Sequence, residues 1–116
     1  MGATVLIVDD QASFRAVARA LLESDGFEVI GEAADGAEAL AAIRALQPDV
    51  ALLDVRLPDQ SGTQVARALR EEPGSTTVVL TSTADYAYAV ADCGAAAFIP
   101  KALLSGASLR AAIGTT

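Results

Sequence analysis

Short runs of Val, Ile, Leu and Ala recur along the chain, separated by stretches in which apolar residues return every three or four positions. Val5-Leu6-Ile7-Val8, Val50-Ala51-Leu52-Leu53 and Thr77-Val78-Val79-Leu80 lack polar alternation, as expected of parallel strands covered on both faces. Phe27 to Glu32 and Ala96 to Ile99 supply two more short strands.

Helices are expected between them. Phe14, Val17, Ala18, Leu21 and Leu22 fall at helical spacing, and Gly26 stops that helix. Asp35 can cap a second helix in which Leu40, Ile43 and Leu46 or its neighbour turn inward, ended by Pro48. Ser61 and Gly62 open a third through Val65, Ala66 and Leu69, closed by Pro73-Gly74. Asp85 to Asp92 reads as a short alanine-rich fourth helix, and Ser105 to Ile113 as a fifth with Leu109 and Ile113 at i and i+4.

Five such strand–helix units form one three-layer sandwich, and right-handed crossovers make a doubly wound sheet its natural topology. No repeat, linker or low-complexity tract interrupts them, so residues 1–116 are expected to form a single domain.

Three of the runs end in charge: the first meets Asp9 and Asp10, the third Asp54, and the fifth, through Pro100, Lys101. An acid at a strand exit can simply cap the next helix or face water. Ligands of open α/β sheets, however, bind beyond the carboxyl ends of the strands, where strand order reverses. The flavodoxin-like order 2-1-3-4-5 brings strands one, three and five together, so that these charges surround one shallow pocket. Crowded carboxylates repel unless a cation enters, and Mg²⁺ suits them: it takes hard oxygen ligands and pairs one or two carboxylates with a phosphate. Ca²⁺ fits less well, because no EF-hand loop pattern is present. Asp54 is the candidate nucleophile, since Pro58 and Gly62 can turn the chain so that its carboxylate stays accessible.

Composition narrows the chemistry. A formal charge of −7 argues against binding a phosphate backbone and suits a cation or a basic partner. With no histidine, the chain cannot carry a phosphohistidine, so any that matters comes from another protein. The single cysteine, Cys93, excludes an internal disulfide and reads as a small core residue. The start lacks a basic n-region and its apolar run is short, so a cytoplasmic protein without a membrane span is expected.

The whole chain resembles the response-regulator receiver domain of two-component signalling. The resemblance rests on Asp9-Asp10 after the first strand, the Asp54, Pro58, Gly62 spacing, Thr81 after Val78-Val79-Leu80, and Gly94-Ala95 leading to Phe98 and Lys101. It implies a flavodoxin-like, doubly wound, five-stranded parallel sheet of order 2-1-3-4-5 with five helices. It also implies that Asp54 is the phosphoacceptor and that Asp9, Asp10, Asp54 and the backbone carbonyl of Arg56 bind Mg²⁺, with Mn²⁺ as a substitute. Thr81 and Lys101 would contact the phosphoryl oxygens, and Thr81 with Phe98 would switch the surface around helix four, strand five and helix five.

By the same resemblance the partner is a sensor histidine kinase or phosphotransfer protein, chosen on helix one around Ala12, Phe14 and Arg15. Homodimer formation on phosphorylation is allowed for, and neither nucleic acid nor membrane is expected to contact this chain. The chain would assist formation and hydrolysis of its own aspartyl phosphate without being an enzyme for other substrates. Two rivals differ in class. A pseudo-receiver would serve only as a phosphorylation-independent interaction or dimerisation module. A haloacid-dehalogenase-type phosphatase would need an acid two residues after Asp54, where Arg56 stands.

Two departures from the family pattern stand out. Ala102 follows Lys101 where many receivers have a proline, with Pro100 before it instead, and the Thr81 to Gly94 segment is short. A reduced fourth helix or a tightened entry loop is expected, with Thr83 as the register alternative to Thr81.

Overall fold

The computed structural model describes residues 2–114. Its strands are β1 (Thr4–Val8), β2 (Glu28–Ala33), β3 (Val50–Asp54), β4 (Thr77–Ser82) and β5 (Ala97–Pro100). All neighbours pair in parallel, in the expected order β2-β1-β3-β4-β5. The helices are α1 (Ala12–Ser24), α2 (Gly36–Leu46), α3 (Gly62–Arg70), α4 (Val90–Cys93) and α5 (Gly106–Ala112). This is the five-stranded, five-helix, flavodoxin-like fold.

The sheet divides the core in two. Val5, Ile7, Val50, Leu52, Val79 and Ile99 pack with Ala18 and Leu22 of α1 and Leu109 of α5. Leu6, Val8, Ala51, Leu53, Val78 and Leu80 pack on the other face against α2, α3 and α4. Successive side chains of a strand alternate between faces, so these two sets interleave along β1, β3 and β4. Cys93 is wholly buried in the second set, as a core filler would be.

Helix ends follow the local sequence. Asp35 accepts from the Glu38 N–H at the start of α2, while Ser61 and Ser105 form capping boxes with Gln64 and Ser108.

Helix α1 contains all five residues expected at helical spacing; Val17 and Leu21 are 55% and 40% exposed, because α1 buries only the narrow stripe of Ala18 and Leu22, with Phe14 packed partly against it. Two expectations need correction. Leu46 is exposed at the last turn of α2, whose buried stripe is Gly36, Ala39 and Ile43. The continuous helix expected over Asp85 to Asp92 is instead a 3₁₀ turn, Ala87–Ala89, leading into the single turn of α4. Asp85 accepts from the Ala87 N–H, a local bond that competes with helix initiation, and Gly94 at φ +80° ends the segment. The reduction expected from the short Thr81 to Gly94 segment is therefore present.

Candidate functional site

Strand alternation aims the site. Ile7, Leu52, Val79 and Ile99 all face α1 and α5, and two residues further along lie Asp9, Asp54, Thr81 and Lys101. Register aligns them: Ile7 pairs with Leu52, Leu52 with Val79, Asp54 with Thr81, and Thr81 with Ile99. One face of the sheet thus continues past its core into a row of polar groups at the carboxyl ends of the strands.

Asp9 is wholly buried and Asp10 is exposed. The Asp9 Oδ1 accepts from the Gln11 N–H at 2.8 Å, and its backbone carbonyl accepts from Arg15 Nη1 at 2.6 Å. Arg15 is itself paired with Glu32 of β2, so the turn between β1 and α1 is braced from both sides. Carboxylate oxygens of Asp9, Asp10 and Asp54 lie within 4.8 Å of one another, close enough to share one cation.

Asp54 is 5% exposed at the end of β3. Its Oδ1 accepts from the Arg56 N–H at 3.1 Å, and its Oδ2 accepts from Lys101 Nζ at 3.2 Å. The same ammonium is in ionic contact with Asp9 Oδ2 at 2.7 Å. Burial pushes the Asp54 carboxyl above the ordinary carboxylate range; the Arg56 N–H opposes this, the Asp9 charge adds to it and Lys101 opposes it. Burial also works against the Lys101 ammonium, but Asp9 and Asp54 outweigh it and hold its pKa above the usual lysine value. With Ala102 after it, Lys101 still reaches both acids from the start of a 3₁₀ turn, Lys101–Leu103.

Thr81 stands beside Asp54 in the β3–β4 register, and its hydroxyl is buried with no hydrogen-bond partner. A buried hydroxyl left unpaired is costly, which suits a group held for a ligand oxygen. The Thr83 alternative is exposed and lines the rim of a pocket of about 250 Å³ with Asp10, Asp54, Arg56, Ser82 and Lys101. Phe98 pairs with Leu80 and is half-buried against the α2, α3 and α4 layer, so it stands on the face of the sheet opposite to Thr81.

The chain between Asp54 and α3 is tightly folded. Gly62 donates its N–H to the Val55 carbonyl at 2.7 Å, and a Cβ on Gly62 would collide with the Asp54 carbonyl oxygen. Only glycine fits so close to that backbone. Asp59, one residue beyond Pro58, accepts from the Gly36 and Ala37 N–H groups at 2.8 and 3.0 Å. The site loop is thereby clamped onto the N-terminus of α2, where a carboxylate is favoured.

Sequence reasoning missed this clamp, because nothing local in Pro58-Asp59-Gln60 points to a helix more than twenty residues away. Buried Ser82 was also missed, although it directly follows Thr81.

Residues 5–113 match the response regulator receiver domain model. The chain belongs to that family. This receiver domain is 46% identical over 101 residues to the transcriptional regulatory protein NarL of Mycobacterium tuberculosis, covering 84% of the chain and 47% of NarL. It is 42% identical over 100 residues to a transcriptional regulator of Pseudomonas aeruginosa, covering 84% of the chain and 48% of that protein. The chain thus spans about half the length of these curated relatives. Among solved structures, the signal receiver domain of M. tuberculosis NarL superposes with a TM-score of 0.86 at 41% identity, covering 97% of this chain and 98% of that one. CheY in a CheX–CheY–BeF3–Mg²⁺ complex from Borrelia burgdorferi gives 0.82 at 29% identity, covering 96% and 86%. The protein is therefore a receiver domain of a two-component response regulator, of the kind found in bacterial signalling.

Proposed function

We propose that this receiver domain, as one folded unit over the described residues 2–114, accepts a phosphoryl group on Asp54 from a histidine kinase or phosphotransfer protein. The observation that carries the reading is the convergence of Lys101 Nζ on Asp54 Oδ2 beside the unpaired Thr81 hydroxyl, with two further acids within 4.8 Å. That donor set fits Mg²⁺ or Mn²⁺, with Asp9, Asp10, Asp54 and the Arg56 backbone carbonyl as ligands. When bound, the ion neutralises charge on the transferring group and on the acids.

The chain's own groups account for the rest. An Asp54 carboxylate oxygen attacks phosphorus; the new P–O bond forms as the P–N bond of the donor phosphohistidine breaks, its electron pair leaving on the imidazole nitrogen. Little covalent chemistry is asked of the protein, so positioning and charge stabilisation supply the catalysis. Lys101 stabilises one equatorial phosphoryl oxygen as a point charge, and Thr81 donates its hydroxyl to another. The same groups serve water attack on the acyl phosphate, so the domain assists its own dephosphorylation.

New phosphoryl contacts to Thr81 and Lys101 would favour one conformation of the α4–β5–α5 surface, with Phe98 reporting the shift from the opposite face. Helix α1 offers the donor a docking face: Ala12, Ser13, Ala16, Val17, Ala20 and Leu21 are exposed and uncharged. Phe14 and Arg15 turn toward the site instead, which leaves Ala12 as the outward member of the three residues first assigned to partner choice. No described helix is long and apolar enough to cross a membrane, and a cytoplasmic location follows from the proposed reaction with a kinase.

Intact-mass measurement after incubation with acetyl phosphate and Mg²⁺ tests the reading. One phosphoryl group should add to the wild type and none to Asp54→Asn; no gain in the wild type supports the pseudo-receiver instead.

A further inference from the structure

The chain has eight cationic side chains. Arg15, Arg19, Arg44, Lys101 and Arg110 each lie against a carboxylate. The remaining three, Arg56, Arg67 and Arg70, form no ion pair among the described residues, and all three belong to the β3–α3 connection or to α3. Among the described residues, cationic side chains without an ion pair therefore occur only on the β3–α3 connection and α3.

Arg56 and Arg67 line one wall of a groove of about 420 Å³. The opposite wall, formed by the segment entering α4, carries Tyr86 and Tyr88, whose ring centroids are 6.1 Å apart. Tyr86 is anchored against the core, but Tyr88 is 74% exposed, an aromatic surface with nothing covering it. Asp92 is the one acid among the lining residues.

Arg and Tyr are the residues on which protein interfaces concentrate binding energy, one through charge and forked donors, the other through rigid apolar area with a polar tip. The chain's net charge of −7 does not defeat an acidic partner at this groove, since physiological salt screens exposed charges more than about 8 Å apart. We propose that the groove between α3 and the segment entering α4 docks an acidic peptide segment of a partner protein. Its carboxylates would pair with Arg56 and Arg67, and one aromatic or aliphatic side chain would pack on Tyr88. This surface differs from the α1 face assigned to the phosphodonor, and both of its walls are in place without a phosphoryl group on Asp54.

A random-peptide display library panned on the full chain tests this directly. The expected consensus is acidic with a single bulky apolar residue, and a synthetic peptide of that sequence should shift amide NMR signals within 55–67 and 86–92. Arg67→Glu should weaken its binding by about tenfold or more, and Tyr88→Ala should also weaken it, whereas Asp92→Asn should tighten it about two- to fivefold. All three residues are exposed, so circular dichroism should be unchanged. A neutral or basic consensus, no enrichment, unaltered binding to Arg67→Glu, or shifts elsewhere would overturn the proposal. Concentration-dependent shifts of the same amides in the protein alone would assign the groove to a second copy and overturn it as well.

Discussion

The ring of Phe14 lies under the Lys101 ammonium, with Nζ 4.4 Å from the ring centroid. Asp9 and Asp54 meet the same ammonium, so Lys101 is held by charge on two sides and by an aromatic face on a third. Phe14 also packs against the α1–α5 core, which fixes the ring and, through it, the lysine. A cation over an aromatic face is worth about 0.5–2 kcal/mol, depending on how far it is desolvated.

Phe14→Leu keeps an apolar side chain but removes that face. Phosphorylation by acetyl phosphate should slow by about two- to tenfold, while Mg²⁺ affinity stays close to wild type. Using a small phosphodonor separates this effect from docking on α1. Stopped-flow measurement of the rate, with Mg²⁺ titrated separately, checks it; equal rates in both proteins would mean that the ring does not position Lys101.

Divalent cations should stabilise the fold through the acidic cluster. At a hundredfold excess over the dissociation constant, one site adds about 2.7 kcal/mol. Thermal unfolding with and without Mg²⁺ should show a clear rise in Tm for the wild type that is largely lost in Asp10→Asn. Because Asp10 is exposed, that substitution itself should leave the metal-free Tm little changed or raised.

Asp54 titrates against the fold. Its folded pKa is raised, so the protonated form is favoured by folding; this contribution is complete below the unfolded pKa of about 3.9 and is lost as pH rises through the folded value. Metal-free Asp54→Asn should therefore melt higher than wild type at neutral pH, with the two curves converging in acid. About 1 kcal/mol corresponds to roughly 4 °C in a domain of this size. Glu32 runs the other way: hydrogen bonding to Arg19 lowers its pKa, and its contribution is lost as pH falls through that lowered value. The Asp54→Asn comparison at each pH cancels this background.

Much of the site was legible because the strands are buried on both faces. Continuous apolar runs at Val5–Val8 and Val50–Leu53 mark where the chain leaves the core, and the next charged residues fall at one edge of the sheet. What failed to show lies where apolar character and burial part company, or where contacts are distant in sequence. Val17 and Leu21 continue the apolar pattern of α1 yet face outward, a departure that the proposed docking role explains. The fourth helix was overextended because the competing bond from Asp85 to the Ala87 N–H is invisible to periodicity. The Asp59 clamp on α2 joins segments that only the completed fold brings together.

That clamp can be tested through the backbone. Hydrogen bonding to the Gly36 N–H leads the effects that hold the Asp59 carboxyl below the ordinary range, so the bonds favour its ionised form. Asp59→Ala should speed hydrogen exchange at Gly36 and Ala37 and weaken Mg²⁺ binding through the loosened loop, without removing a proposed metal ligand. Unchanged exchange at both amides would exclude the clamp.

Identifying the modified residue tests the central claim most directly. Protein phosphorylated with acetyl phosphate and Mg²⁺ is reduced with borohydride, which converts an aspartyl phosphate to homoserine, and its peptides are then sequenced by mass spectrometry. The account predicts homoserine at position 54 alone. Homoserine at another aspartate, or at none despite a phosphoryl mass gain, would contradict it.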